Sequence, residues 1–315
     1  MRLGTTLFLI LLVASVPLAA APAISTSPGE INHIEGFALL NGRQLADGSA
    51  SSELIGDGGL LVTAAGYAEV LLDPGVFLRV GPNAAVRFET IHPNQISMQL
   101  ERGEVLIDAA AEPGGRISIQ FSSLKIAPSI PGLYELDGNA CRAQIYAGAA
   151  EVRDATGTDF VHKGEQAGCN TGVQKFDSNR ADALYVWSSR VAEYEAAASY
   201  GGAYKLAAND TAPSWRWDDV LHCWGYVPRE GVVADPLGWS YAASARELRK
   251  ALILNGPRIG YPALVDRRNP PRILSTPSPG GTVDLARARR VHPPHAVVPW
   301  NPGPGPVGAP IPGAP

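Results

Sequence analysis

Hydrophobic and polar residues alternate along "GYAEVLLDPGVFLRVGPNAAVRF", residues 66 to 88, and the alternation breaks at Asp73-Pro74-Gly75 and again at Gly81-Pro82-Asn83. A period of two with turn residues at the breaks predicts three strands of about six residues each. The pattern continues further along the chain. In "RISIQFS", Ile117, Ile119 and Phe121 face one way and Ser118, Gln120 and Ser122 the other. Similar runs are "GEVLIDA" (103–109), "CRAQIYAG" (141–148) and "AAEVRDA" (149–155), with turn residues between them at "EPGG", "IPG", "DGN", "ATGT" and "KGE". Residues 30–176 are therefore expected to form an all-β domain of many short strands: a roll, a sandwich or a short β-solenoid, and not a parallel α/β sheet. No strict repeat period marks identical rungs.

The period changes after residue 176. In "SNRADALYVWSSRVAEYEAAAS" (178–199), Leu184, Trp187, Val191, Tyr194 and Ala198 recur at helical spacing. Asp177 or Ser178 can cap the start of this helix, and Gly201-Gly202 can end it. The segment 178–208 is expected to pack over the β body rather than to dock a partner. Between residues 212 and 256 the aromatic residues come in pairs two apart: Trp215 and Trp217, Trp224 and Tyr226, Trp239 and Tyr241. That spacing places each pair on one side of a strand, either as rings that stack on a ligand or, the weightier reading, as the core of a small β module. "SARELRKALILNG" (244–256) predicts a brief helix with Ser244 and Glu247 as a capping box. Residues 257–315, dominated by Pro and Gly, are expected to be disordered.

Composition sharpens this picture in three ways. The 315 residues, 45% hydrophobic, suffice for a full domain and a smaller unit, and the 34 glycines and 27 prolines fit many turns and a low-complexity tail. The net charge of −4 is unevenly spread: residues 24–242 sum to −12 and residues 243–315 to +7. Arg267, Arg268, Arg287, Arg289 and Arg290 in the tail are thus candidate contacts for an anionic envelope polymer, and no nucleic-acid partner is expected. At the N-terminus, Met1-Arg2, the apolar "TTLFLILLVASV" and the small residues of "PLAAAPA" resemble a secretory signal peptide over residues 1–23, cleaved after Ala23. The apolar run is short for an uncleaved anchor, and no second hydrophobic span follows, so no membrane span is expected after cleavage. Export would place Cys141, Cys169 and Cys223 in an oxidising compartment. A bridge between Cys141 and Cys169 is a candidate, with Cys223 an equally available partner for either.

Candidate chemistry is sparse. The six histidines are scattered, and none sits at metal-ligand spacing in an ordered element. No nucleophile elbow, phosphate-binding loop or dinucleotide fingerprint occurs. Asp47, Asp57, Asp73 and Asp137 fall at turns, where Asp is expected for its backbone hydrogen bonds. The pattern marks no pair of catalytic carboxylates. Neither enzymatic activity nor a cofactor or metal is expected.

The order of the motifs resembles the bacterial FecR domain. The stretch "GDGGLLVTAAGYAEVLLDPGVFLRVGPNAAVRFE" is followed by "MQLERGEVLIDA", then by "AQIYAGAAEVRD" (143–154) and "HKGEQAG" (162–168), covering about residues 35 to 170. The resemblance implies a β fold, an envelope location and a binding or scaffolding role through protein–protein or envelope-polymer contacts. Family members that regulate sigma factors carry a cytoplasmic segment and a membrane span ahead of this domain. Here only the signal peptide is expected before it, with no cytoplasmic segment to hold a sigma factor, so envelope signalling stays an open role beside binding or scaffolding. The alternative from another class is a carbohydrate-binding or carbohydrate-active protein using Trp215, Trp217, Trp224, Tyr226, Trp239 and Tyr241.

Overall fold

The computed structural model describes residues 26–49, 53–112, 116–205, 213–244, 246–247 and 283–284. The expected signal peptide, most of the 244–256 helix, and Arg267, Arg268, Arg287, Arg289 and Arg290 lie outside these residues. Strands dominate and form two nine-stranded sheets. One sheet, here the central sheet, runs in spatial order Gly172–Lys175, Glu165–Gly168, Arg142–Ala147, Gly132–Asp137, Glu104–Ala109, Val76–Val80, Tyr67–Asp73, Ile31–Glu35, Gly48–Ser49. The other, the outer sheet, runs Thr158–His162, Ala149–Arg153, Leu124–Pro128, Arg116–Phe121, Gln95–Arg102, Ala85–His92, Gly59–Thr63, Ala38–Leu40, Arg43–Gln44. Neighbouring strands are antiparallel except Gln95–Arg102 and Arg116–Phe121, which pair in parallel with Ile96 opposite Ile117.

Of the three architectures open to the sequence, the structure adopts the sandwich. Val70, Leu78, Ile107 and Leu136 of the central sheet share one core with Phe88, Met98, Ile119 and Ile126 of the outer sheet. Two stacked inner faces of alternating apolar residues bury this core between them. The two sheets differ on their other faces. In the outer sheet, Gly59–Thr63 and Gln95–Arg102 alternate between buried and solvent-facing positions. In the central sheet, Val76–Val80 and Gly132–Asp137 are buried at every position, including Arg79 and Glu135. Antiparallel strands whose polar side is also buried must have protein on both faces. A third layer supplies it.

That layer consists of the helix Ala183–Lys205 and two short hairpins, Ser214–Asp218 with Cys223–Val227 and Val232–Ala234 with Ser240–Ala242. The helix begins later than the spacing suggested. Asp182 caps it, its Oδ1 accepting the Tyr185 N–H at 2.7 Å, while Asp177 closes the preceding turn by accepting the Asn179 N–H at 3.1 Å. The helix also does not stop at Gly201-Gly202, because those glycines meet a need for space. The first hairpin lies directly on the helix: a Cβ on Gly202 would sit 2.8 Å from the Arg216 side chain, and one on Gly225 would sit 2.2 Å from the Ser199 nitrogen. The small residues of "AAASYGGA" and Gly225 let two backbones approach closely. The aromatic rings of the hairpins share a cluster with Leu71, Phe77 and Ala110 of the central sheet, so this region has no core separate from the β body.

Trp187 anchors the helix at its N-terminal half. It is fully buried, stacks on Tyr67 with ring centroids 4.9 Å apart, and donates its Nε1–H to Glu35 Oε2 at 2.8 Å. Truncation leaves a large cavity and removes the indole donor to Glu35, so Trp187→Ala should cost about 3–5 kcal/mol. Denaturant unfolding checks this; an unchanged midpoint would mean that the helix is not packed as described.

Candidate functional site

The densest set of chemically capable groups lies between the central sheet and the third layer, centred on Arg79. Its guanidinium uses all three nitrogens on three carboxylates: Nε on Glu69 at 2.7 Å, Nη1 on Asp108 at 2.7 Å and Nη2 on Glu195 at 2.6 Å. Sheet register builds most of this. Glu69 sits directly opposite Arg79, and Asp108 pairs with Phe77, one diagonal step away on the same face. Glu195 comes from the helix. Asn32 completes the set: Nδ2 donates to Glu69, to Glu195 and to the Trp224 carbonyl, and Oδ1 accepts the Trp224 N–H at 2.7 Å. The pairing of Ile31–Glu35 with Tyr67–Asp73 shifts register between Ile31 and His33. Such an irregularity re-aims a side chain, and here Asn32 points toward the third layer. The Arg79 guanidinium also lies 5.1 Å from the Phe77 ring centre.

These groups are removed from water, and their protonation follows from that. Burial pushes Glu195 well above the usual carboxylate range, and the neighbouring Glu69 adds to the shift. Asp108 is raised by burial, and Asp235, from the turn before Ser240–Ala242, is raised well above its ordinary value for the same reason. Burial alone would lower Arg79, but Glu195, Glu69 and Asp108 together outweigh it and hold the guanidinium above its ordinary value. His33, buried beside Trp187, is pushed down by burial against the pull of Glu69 and Asp47. Asp108 Oδ1 and Asp235 Oδ2 are buried without hydrogen-bond partners. Burial thus favours the protonated form of Glu195, Asp108 and Asp235, while Arg79 favours the ionised form of its partners. The arrangement of the cluster locks the third layer onto the central sheet, and its groups are buried from solvent.

A second acidic group lies on the same face of the central sheet, near the start of the helix. Glu104 pairs with Asp137, Leu106 with Glu135, and Asp137 with Arg142 on the next strand. Burial raises Glu104 to about 7, with Asp182 and Asp137 adding to the shift. Glu135 is raised well above its ordinary value by burial, with Asp182 and Glu104 next in effect. Asp182 is raised by burial too. Arg142 is the cation that faces them, and it meets Asp137 at 3.3 Å. Among the described residues, no group of three or more His, Cys, Asp or Glu is arranged to hold a metal ion.

The residues singled out from sequence fall elsewhere. Trp215, Trp224, Tyr226 and Tyr241 are buried, their rings packed on one another and on Phe77: Trp215 lies 4.9 Å from Phe77, and Tyr226 lies 5.5 Å from Tyr241. Their faces are covered by the protein's own side chains, which removes them as stacking surfaces for a sugar. Trp217 is half-buried, edge-on to Trp224 at 5.5 Å. Trp239 lies before the strand Ser240–Ala242 rather than in it, and its indole donates to the Ser189 carbonyl at 2.7 Å. Cys141 and Cys169 are joined, with Cα atoms 5.7 Å apart, across the pairing of Arg142–Ala147 with Glu165–Gly168; Cys223 is free and buried. On the outer sheet a shallow open depression is lined by Gln95, Ser97, Ser118 and Lys125. The sequence reading missed Arg79, Glu69, Asp108, Glu195 and Asn32. The signal available was opposite charge at facing positions of "AEVLL" and "FLRV".

Among the described residues no helix is long and apolar enough to cross a membrane. No family model matches the chain, and no curated protein matches it. Two crystal structures of a "putative anti-sigma factor" from Parabacteroides distasonis are similar in fold, at 13% and 12% identity and a TM-score of 0.34 each. The match spans 41% of this chain and 62% and 63% of those chains, so it covers less than two thirds of their length.

The buried carboxyls fix the sign of a pH dependence. A carboxyl whose folded-state value is raised keeps a proton that the unfolded chain has released. Its contribution is therefore complete below the ordinary values of 3.8 for Asp and 4.5 for Glu and is lost as pH rises through the folded-state value. His33 has the opposite sign, and its cost appears only below 6.5. Above 6.5 the carboxyls act unopposed, so stability should decline as pH rises from neutral, and Glu195→Gln, which keeps a neutral amide in place, should flatten the decline. Thermal melting across pH checks this; equal slopes in parent and variant would contradict it.

Proposed function

We propose that the protein is an exported binding or scaffolding protein of the bacterial cell envelope, built on a FecR-type β domain, and not an enzyme. The observation that carries this reading is how the side chains are divided. The groups able to do chemistry or to stack on a ligand, the Arg79 set and most of the aromatic rings, are turned inward and packed on one another. What the molecule offers outward is the polar face of the outer sheet, with Ser97, Gln99, Ser118, Gln120 and Lys125 on adjacent strands. A broad, flat, polar sheet face suits contact with another macromolecule better than capture of a small substrate. The motif order resembling the FecR domain, the signal-peptide-like N-terminus and the Cys141–Cys169 bridge support an oxidising, extracytoplasmic setting. Burial of Trp215, Trp224, Tyr226 and Tyr241 disfavours the carbohydrate alternative, for which only Trp217 and Trp239 keep partial exposure.

The test combines fractionation with cross-linking through Lys125, which is exposed on the outer face. The protein should be recovered outside the cytoplasm with Ile24 as its first residue. An amine-reactive cross-linker should join Lys125 to an envelope component, and Lys125→Arg should lose that product. Recovery in the cytosol with Met1 intact, or no product that depends on Lys125, would contradict the proposal.

A further inference from the structure

The two sheets end unequally. At one end their outermost strands are the two-residue Gly48–Ser49 and Arg43–Gln44. At the other end they are Gly172–Lys175 and Thr158–His162. Thr158–His162 is the longest of these edges and carries no proline, and among the described residues it pairs only with Ala149–Arg153. Very short strands and edge prolines keep sheets from joining other strands, and this edge has neither. Phe160 at its centre is 61% exposed, the most exposed of the large hydrophobic side chains described. Its neighbour Val161 lies in the sandwich core, so alternation puts the Phe160 ring on the outer face.

The hydrogen bonds of the ladder show which backbone groups face outward. Asp154 N–H donates to the Gly157 carbonyl at 3.0 Å, and Lys163 N–H donates to the Gly148 carbonyl at 3.1 Å. Hydrogen-bonded pairs alternate along an antiparallel ladder, so Asp159 and Val161 bond to Val152 and Ala150 within the sheet. The N–H and C=O groups of Thr158, Phe160 and His162 therefore point away from it. The His162 N–H agrees with this direction, since it leaves the ladder and donates to Glu165 Oε2 at 3.0 Å. These outward groups fix the positions at which an added strand can bond. In the antiparallel register centred on Phe160, Phe160 meets Phe160 and Thr158 meets His162, so the strand is complementary to itself.

We propose that two copies of the chain join edge to edge through Thr158–His162, antiparallel about a two-fold axis at Phe160. The two Phe160 residues exchange backbone hydrogen bonds, and each Thr158 N–H reaches the His162 carbonyl of the other copy, so the contact of His162 with Glu165 stays in place. The Phe160 rings cover each other on the outer face and leave water together. On the opposite face Asp159 lies one diagonal step from Asp159 and from Lys163 of the second copy, so each acid that meets its like also gains a cation. Pairing makes the two outer sheets continuous, and the two-residue strand at each far end offers no comparable edge, so assembly stops at two chains. This dimer does not depend on the envelope role proposed above.

The test measures the mass of the full chain by sedimentation equilibrium and traps the register covalently. The parent should give the mass of two chains and dissociate on dilution. Phe160→Lys, which sets two like charges against each other at an exposed position, should give the mass of one chain with an unchanged circular dichroism spectrum. Hydrogen-bonded partners lie about 5.5 Å apart at Cα, within the span of a disulfide, so Phe160→Cys should form a covalent dimer under mild oxidation. Thr158→Cys alone should not, but it should link to His162→Cys when the two variants are mixed. Three results would each overturn the proposal: a parent that stays a single chain at every concentration, a Phe160→Lys variant that still pairs, or cysteine links in another register, such as Thr158→Cys joined to itself.

Discussion

The union of the central sheet with the helix and first hairpin depends on one ion cluster. Arg79 sits in the middle of the central sheet with each of its three guanidinium nitrogens bonded to a carboxylate: Glu69 and Asp108 beside it and Glu195 above. A guanidinium is always charged and cannot be left alone at this depth, so the layer that brings Glu195 is a requirement of the sheet and not an ornament on it. Asn32 extends the same constraint to the first hairpin through both polar atoms of the Trp224 backbone. Replacing the whole cluster with apolar residues of similar shape can be neutral for stability, whereas removing one partner strands the rest. The cluster's physical role is therefore specificity: it dictates which helix position and which hairpin strand meet the sheet, and in what register.

Around that constraint the apolar packing is ordinary. The sandwich core is built from the inner faces of both sheets, and a second set of clusters, with Trp187 on Tyr67 and Trp215 on Phe77, fills the space between the central sheet and the third layer. The aromatic pairs that looked like ligand platforms are part of this second core. The outer sheet keeps its alternation of buried and wet positions because none of the described residues covers its outer face.

Much of the architecture was legible in the alternation. The stretch from Gly66 to Phe88 reads as three strands and folds as Tyr67–Asp73, Val76–Val80 and Ala85–His92. What the alternation could not say is where each polar face points. Glu69, Arg79, Asp108 and Glu135 occupy the positions that in an uncovered antiparallel sheet face water, and a period of two is identical whether that face is wet or covered by a charged partner layer. The helix ends were misplaced for a similar reason. Gly201-Gly202 is a stop signal when read locally, but its cause is the first hairpin, whose Asp218, Arg216 and Val227 side chains lie against the helix there, contacts that local sequence does not show. Asp182 was passed over as the cap because Asp177 and Ser178 offer the same chemistry a few positions earlier. The cluster itself combines side chains from Asn32 to Glu195, and a single sequence does not pair residues so far apart.

The central claim is that the helix and first hairpin belong to the folding unit of the sheet because the Arg79 cluster binds them. Native-state hydrogen exchange at low denaturant measures this directly. The account predicts that amides of Ala183–Lys205 and Cys223–Val227 open in the same cooperative event as Tyr67–Asp73, Val76–Val80 and Glu104–Ala109. Opening of the helix and hairpin at a clearly lower free energy, while those three strands stay protected, would contradict it.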